Sequence, residues 1–222
     1  MSWSPDSSLI ASFVGYPSNE YYIENIHVWD TTTGVFVAEL AENTSNGVSP
    51  PNASWSPDGK YLITGNRASD HDDLPLTTWN TQTWQIEKYL NLYLPEPNNH
   101  LLNEYVAWSP NGEKIAVSEN SNFVYEQIGI YDLKTDTYDV YDLANTSFSE
   151  IVWSPNGEFL AIGTFGVYIV DATNGSVVYQ LLDNRNYIES LEWSPDGTMI
   201  AALDTNSNIY IWEIISLPSN GG

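Results

Sequence analysis

Trp153-Ser-Pro-Asn-Gly157, lying between Glu150-Ile-Val-Trp153 and Phe159-Leu-Ala-Ile-Gly-Thr164, decides the fold of this chain because the sequence writes its core five times. The other copies are Trp3-Ser-Pro-Asp6, Trp55-Ser-Pro-Asp58, Trp108-Ser-Pro-Asn111 and Trp193-Ser-Pro-Asp196, and successive copies lie 52, 53, 45 and 40 residues apart. A motif returning at that spacing marks a chain built from stacked copies of one small unit. Scaffolds of this kind bind more often than they catalyse.

Within a copy, Pro fixes φ at the second turn position, Asn or Asp closes the turn with its side chain, and Gly takes the left-handed conformation. The fourth copy then predicts strands at Glu150–Trp153, Phe159–Thr164, Val167–Val170 and Ser176–Leu182, joined by Phe165-Gly166 and by Asp171-Ala-Thr-Asn-Gly175. β-Branched and aromatic residues dominate these segments, and turn residues separate them, as in an antiparallel meander. The other copies keep the order: Leu9–Phe13, Tyr61–Thr64, Lys114–Val117 and Met199–Ala202 are second strands, and Asn25–Trp29, Leu76–Trp79, Gln127–Tyr131 and Asn208–Trp212 are third strands. Helical periodicity is nowhere sustained.

These residues resemble the WD-repeat β-propeller family over roughly residues 1 to 215. The marks are the Ser-Pro-Asp-Gly turn and the third-strand ends Trp29-Asp30, Trp79-Asn80, Tyr131-Asp132, Val170-Asp171 and Trp212-Glu213. The family's Gly-His dipeptide is missing, since His27, His71 and His100 stand elsewhere. Propellers of the TolB type share the Trp-Ser-Pro-Asp-Gly turn, so both subfamilies stay open. The resemblance implies an all-β propeller of about five four-stranded antiparallel blades, with structural Trp3, Trp55, Trp108, Trp153 and Trp193. The repeats span approximately 1–42, 52–92, 104–144, 149–183 and 189–216 of a single propeller domain. Trp3 follows only a stub of strand, and no clear fourth strand follows Trp212. The expectation is therefore an incomplete ring lacking the outer strand of its last blade, a piece of a longer chain, with an edge open to pairing.

Composition bounds the function. Six basic residues against 29 acidic ones give a formal net charge of −23, which argues against nucleic acid as a partner and favours cations or basic proteins. No apolar stretch approaches the ~18–20 residues that span a bilayer as a helix, so membrane insertion is not expected. With no Cys, neither disulfides nor thiolate metal sites can form. An Asn-, Ser- and Thr-rich composition favours an extracellular over a cytoplasmic setting, and Asn43, Asn52, Asn145 and Asn174 each open an Asn-x-Ser sequon.

In a four-stranded meander the first-to-second and third-to-fourth turns share one rim, and the other connections share the opposite rim. The first rim is uniformly short. The insertions Gly15–Glu24, Glu42–Pro51, Asn66–Pro75, Asn91–Asn103 and Glu119–Glu126 all fall on the second. Variable loops on a rigid scaffold are where binding resides, and aromatics beside acids suit protein hot spots or sugar stacking. The candidate partner-binding residues are Tyr16, Tyr21, Tyr22, His71, Asp72, Asp73, Tyr93, Glu96, Phe123 and Tyr125.

No Ser-His-Asp arrangement, phosphate loop or dinucleotide fingerprint is present, and no cofactor is expected. Asp70, Asp72 and Asp73 are the candidate cation ligands, although a solvated acidic loop explains them as well. Asp204-Thr-Asn-Ser-Asn208 opens like a calcium loop but lacks the later Gly and Glu. The reading is a non-enzymatic interaction scaffold that binds a protein, or further copies of itself, through the long-loop face. The alternatives are a carbohydrate-binding or glycoside-cleaving propeller acting through paired carboxylates, and a structural subunit linked by its edge strand.

Overall fold

A computed structural model describes residues 1–17, 22–40, 52–65, 76–90, 102–121, 125–143, 148–181 and 186–214. The fold is an all-β propeller, and among the described residues there is no helix. Nineteen strands run in chain order: β1 Ser2–Trp3, β2 Leu9–Pro17, β3 Tyr22–Asp30, β4 Phe36–Leu40, β5 Ala53–Trp55, β6 Tyr61–Thr64, β7 Leu76–Asn80, β8 Gln85–Leu90, β9 Leu102–Trp108, β10 Lys114–Ser121, β11 Tyr125–Asp132, β12 Thr137–Leu143, β13 Glu150–Trp153, β14 Phe159–Gly163, β15 Val167–Asp171, β16 Val177–Leu181, β17 Ile188–Trp193, β18 Met199–Asp204 and β19 Ile209–Glu213. They form five meander sheets: β1–β4, β5–β8, β9–β12, β13–β16 and the three-stranded β17–β19. Each is one blade. β1 is two residues long, and the fifth sheet has three strands among the described residues.

Three insertions are shorter than the sequence implies. β2 and β3 stay paired beyond Gly15, through Gly15↔Glu24, Tyr16↔Ile23 and Pro17↔Tyr22. Pro17 is tolerated because it sits at the end of its strand, where it can lack an N–H. β10 likewise runs to Ser121, β11 starts at Tyr125 and β9 starts at Leu102. Polar residues there read as loop, yet hairpin pairing satisfies their backbone whatever the side chains are.

The chain divides into two compact units, Met1–Trp108 with Val117–Phe123, and Ser109–Ala116 with Val124–Gly222. In the first, one face of blade one (Ala11, Ile26, Val28, Ala38, Leu40) packs on Ala53, Trp55, Leu62 and Trp79 of blade two. Trp55 Nε1 donates to the Ser2 carbonyl at 3.1 Å. In the second, Phe159, Ala161, Val167 and Ile169 of blade four pack on Leu191, Trp193, Ile200 and Ala202 of blade five. The two joints have one design: alternate residues of the second and third strands meet the motif Trp of the next blade. Period-2 alternation gives each sheet two apolar faces, and full burial of each Ile, Leu or Val contributes about 1.5–3 kcal/mol.

Candidate functional site

The short-turn rim is built by one hydrogen-bond pattern used five times. Ser4 Oγ donates to Asp6 Oδ1 at 2.7 Å and accepts from Leu9 N–H at 2.9 Å, while Ser8 N–H donates to the same Asp6 oxygen at 3.0 Å. Ser56 with Asp58, Ser109 with Asn111, Ser154 with Asn156 and Ser194 with Asp196 repeat this at 2.6–2.8 Å. The fourth turn residue has positive φ in every copy: Gly59, Gly112, Gly157 and Gly197 lie at 70–76°, and Ser7 at 60°. Pro5 lies 3.9 Å from where a Cβ on Gly59 would stand, Pro110 3.4 Å from that of Gly157, and Pro155 3.6 Å from that of Gly197. Within each unit, then, the Pro of one turn rests against the Gly of the next.

The third-to-fourth turns are locked by the residue that ends the third strand. Asp30 Oδ1 accepts from the N–H groups of Thr32 and Thr33 at 3.0 and 2.7 Å. Asn80 and Asp132 do the same for residues 82–83 and 134–135. Asp171 takes Thr173 N–H at 2.8 Å. Each turn closes with a bond from residue i+4 to the carbonyl of residue i, as from Gly34 to Asp30 at 2.8 Å. At Gly175 (φ 71°) a Cβ would also strike the Tyr141 ring of the preceding blade.

These carboxylates are engaged as structural acceptors. Backbone N–H of Ser8, then the Ser4 hydroxyl, holds Asp6 down at about 2. Lys60 first, then Ser56, does so for Asp58, and Ser194 first for Asp196, each also to about 2. Such groups stay ionised and cannot act as general acids near neutrality. Clefts of about 350 Å³ between the turns of blades one and two, and about 290 Å³ between those of blades four and five, are walled by these same Pro, Asp or Asn, and Gly residues.

Asp204 answers the calcium-loop question. It is fully buried, and its oxygens accept from Asn206 N–H and Asn208 N–H at 2.9 Å, Asn186 Nδ2 and Asn208 Nδ2 at 3.0 Å, and Tyr210 OH at 3.2 Å. Donors fill the lone pairs a cation would need, so the segment is a turn between β18 and β19. No cluster of three acidic or His side chains suited to a metal occurs among the described residues.

Of the predicted binding residues, Tyr16 lies on β2, Tyr22 on β3 and Tyr125 on β11, which corrects their assignment to loops. Tyr21, Asp70, His71, Asp72, Asp73, Tyr93, Glu96 and Phe123 lie outside the described residues, as do Asn43 and Asn145. Asn174 is exposed at a turn, and Asn52 is half-buried just before β5. Of the structural tryptophans, Trp55, Trp153 and Trp193 are buried, Trp108 is half-buried and stacks on Tyr61 with centroids 6.3 Å apart, and Trp3 is exposed.

Two acids escaped the sequence reading. Glu150 on β13 and Glu192 on β17 both have their carboxyls pushed up by burial, and Glu192 pushes Glu150 further by charge repulsion. Glu150 Oε2 accepts from Leu191 N–H at 2.6 Å. The available signal was position: the residue before the motif Trp is Ser2, Ser54, Ala107 and Val152 in four copies, and an acid only at Glu192.

Repeated turn, meander sheets and Trp-centred joints define a repeat-built β-propeller of the kind that serves as an interaction scaffold. The model of the family described as Eukaryotic translation initiation factor eIF2A matches residues 97–212, more than half of the sequence, and the chain belongs to that family. Protein HIR1 of Cryptococcus neoformans var. neoformans serotype D, in strains JEC21 and B-3501A, is 27% identical over 124 residues. That match covers 55% of this chain and 12% of the relative, so the chain spans about an eighth of the curated relatives it matches. Among solved structures, Kuenenia stuttgartiensis hydrazine synthase aligns with a TM-score of 0.67 at 20% identity, over 91% of this chain and 54% of that one. The last likeness is one of fold.

Proposed function

We propose that this chain is a non-enzymatic docking module that holds a protein partner on the rim formed by its second-to-third and fourth-to-first connections. One observation carries the reading. All described first-to-second and third-to-fourth turns are held by the same short hydrogen bonds, while every connection of variable length falls on the other rim. A locked rim positions, and a variable rim recognises. The charge of −23 selects a basic partner surface and makes encounter fast at low salt. The family name gives translation initiation as the setting in which such a partner is sought.

The test compares the chain with two variants for binding of the partner it retains from its native source. Replacing Asn66–Pro75 and Asn91–Asn103 with short Gly-Ser links should abolish binding. The variant E113K/E158K, altered on the exposed short-turn rim, should lose less than threefold. The opposite ranking would overturn the proposal.

A second reading is favoured by Glu150, whose carboxyl is pushed up by burial and then by the charge of neighbouring Glu192, as the general acid of a glycosidase would need. Hydrolysis of a glycan substrate that both E150Q and E192Q abolish would establish it in place of the first.

A further inference from the structure

The hairpin between β14 and β15 ends in a three-residue tip, Thr164-Phe165-Gly166, closed by Thr164 N–H donating to the Gly166 carbonyl at 2.8 Å. Thr164 and Gly166 are buried, whereas Phe165 between them is 52% exposed. A lone exposed aromatic is ordinary on a protein surface, but this one is held in place. The Thr164 carbonyl accepts Ile188 N–H at 2.8 Å, which fixes the tip to the connection entering blade five. On that connection the half-buried Tyr187 meets the Phe165 ring edge to face, with centroids 5.5 Å apart and planes at 73°. Tyr187 is fixed in turn. Its hydroxyl donates to the carbonyl of buried Phe148, and its carbonyl accepts Thr205 N–H at 2.9 Å from the turn between β18 and β19. All these residues belong to the second compact unit and lie on second-to-third or fourth-to-first connections.

We propose that the Phe165–Tyr187 pair is the anchor for an arginine side chain of a protein partner. The proposal rests on the reading of the variable rim as the recognising one, and names a contact on it. Aromatics fixed before binding give contact area at little further cost in entropy. An aromatic face attracts a cation through its quadrupole, and a planar guanidinium stacks on it where a compact ammonium cannot. The surrounding charge selects the same sign: Glu189, two residues from Tyr187, is exposed, and the chain as a whole carries −23. Exposed Thr205, Asn206 and Ser207 on the turn bonded to Tyr187 give the anchor a polar margin.

Fluorescence anisotropy with labelled octapeptides that alternate Gly with Arg, Lys or Leu tests it, in about 0.15 M NaCl to screen remote charges. Wild type should bind the Arg peptide about fivefold more tightly than the Lys peptide, and the Leu peptide most weakly. F165L keeps the bulk without the aromatic face and should weaken the Arg peptide about fivefold. F165W returns an aromatic face and should restore it. Equal binding of the Arg and Lys peptides, or F165L binding like wild type, overturns the proposal. So does preference for the Leu peptide, which would make the pair an apolar anchor. Replacement of Asn66–Pro75 and Asn91–Asn103 leaves Phe165 in place and separates this inference from the rim reading. If that replacement abolishes partner binding while F165L leaves the Arg peptide unaffected, the anchor alone fails. If partner binding survives the replacement, the rim reading fails.

Discussion

The Glu150 carboxylate accepts the Leu191 N–H at 2.6 Å, tying the first strand of blade four to the first strand of blade five. Burial raises its pKa, with Glu192 adding to the shift, so the bond is made by a group whose ionised form is penalised. A folded pKa above the unfolded one means that stability is greatest while the acid is protonated and falls as pH rises through the folded value. Gln keeps the accepting oxygen without the charge. E150Q should therefore melt higher than wild type at pH 7, with the gap closing below about pH 4, where both acids are protonated in either state. A lower melting point at pH 7 would show that the charge itself is needed there.

The turn aspartates run in the other direction. Asp6, Asp58 and Asp196 sit at about 2 in the folded protein, against an unfolded value of about 3.9. Their contribution is complete above that unfolded value and disappears as pH falls from about 4 to about 2. Asn111 and Asn156 already make the same bonds without charge. The triple variant D6N/D58N/D196N should thus fold normally and show a shallower loss of stability in acid urea titrations.

Ser7 takes φ 60° where the other four copies use Gly. The left-handed region costs an L-residue about 1–2 kcal/mol, and Gly returns about 0.5–1 of that as unfolded-state entropy. S7G should stabilise the fold by about 0.5–1 kcal/mol in denaturant unfolding. W84G relieves the same strain at φ 55° but removes the edge-to-face contact of Trp84 with Trp55 at 6.2 Å, and it should destabilise.

Equivalent isoleucines should differ in cost. Ile169 is fully buried in the joint between blades four and five, so I169A should cost about 2–5 kcal/mol. I211A, at an exposed position, should stay within about 0.5 kcal/mol for the monomer. Equal losses would mean that Ile211 is covered in solution.

Most of the architecture was legible because it rests on local chemistry. Pro57, Asp58 and Gly59 form their turn from residues within five positions, and Asp30 caps a turn that begins with itself. Features depending on a neighbouring sheet were not legible. Asn208-Ile-Tyr-Ile-Trp212 and Asn25-Ile-His-Val-Trp29 share one pattern, yet Ile26 is buried and Ile209 exposed, since burial is decided by the blade alongside. The extension of β2 and β3 past Gly15 was hidden for a related reason: Gly15 and Pro17 read as breakers, whereas their pairing partners lie on the next strand. The candidate rim was located by loop length alone, a signal that tells where connections vary but not which side chains meet a ligand. Glu150 and Glu192 were missed because an acid within an apolar strand carries no period of its own.

The measurement that bears most directly on function is amide hydrogen exchange of the chain with and without its bound protein partner. Protection should gather in the second-to-third and fourth-to-first connections, above all Asn66–Pro75 and Asn91–Asn103, and leave the Ser-Pro-Asp/Asn-Gly turns unchanged. Protection centred on Asp6, Asp58 and Asp196 instead would contradict a docking role for the variable rim.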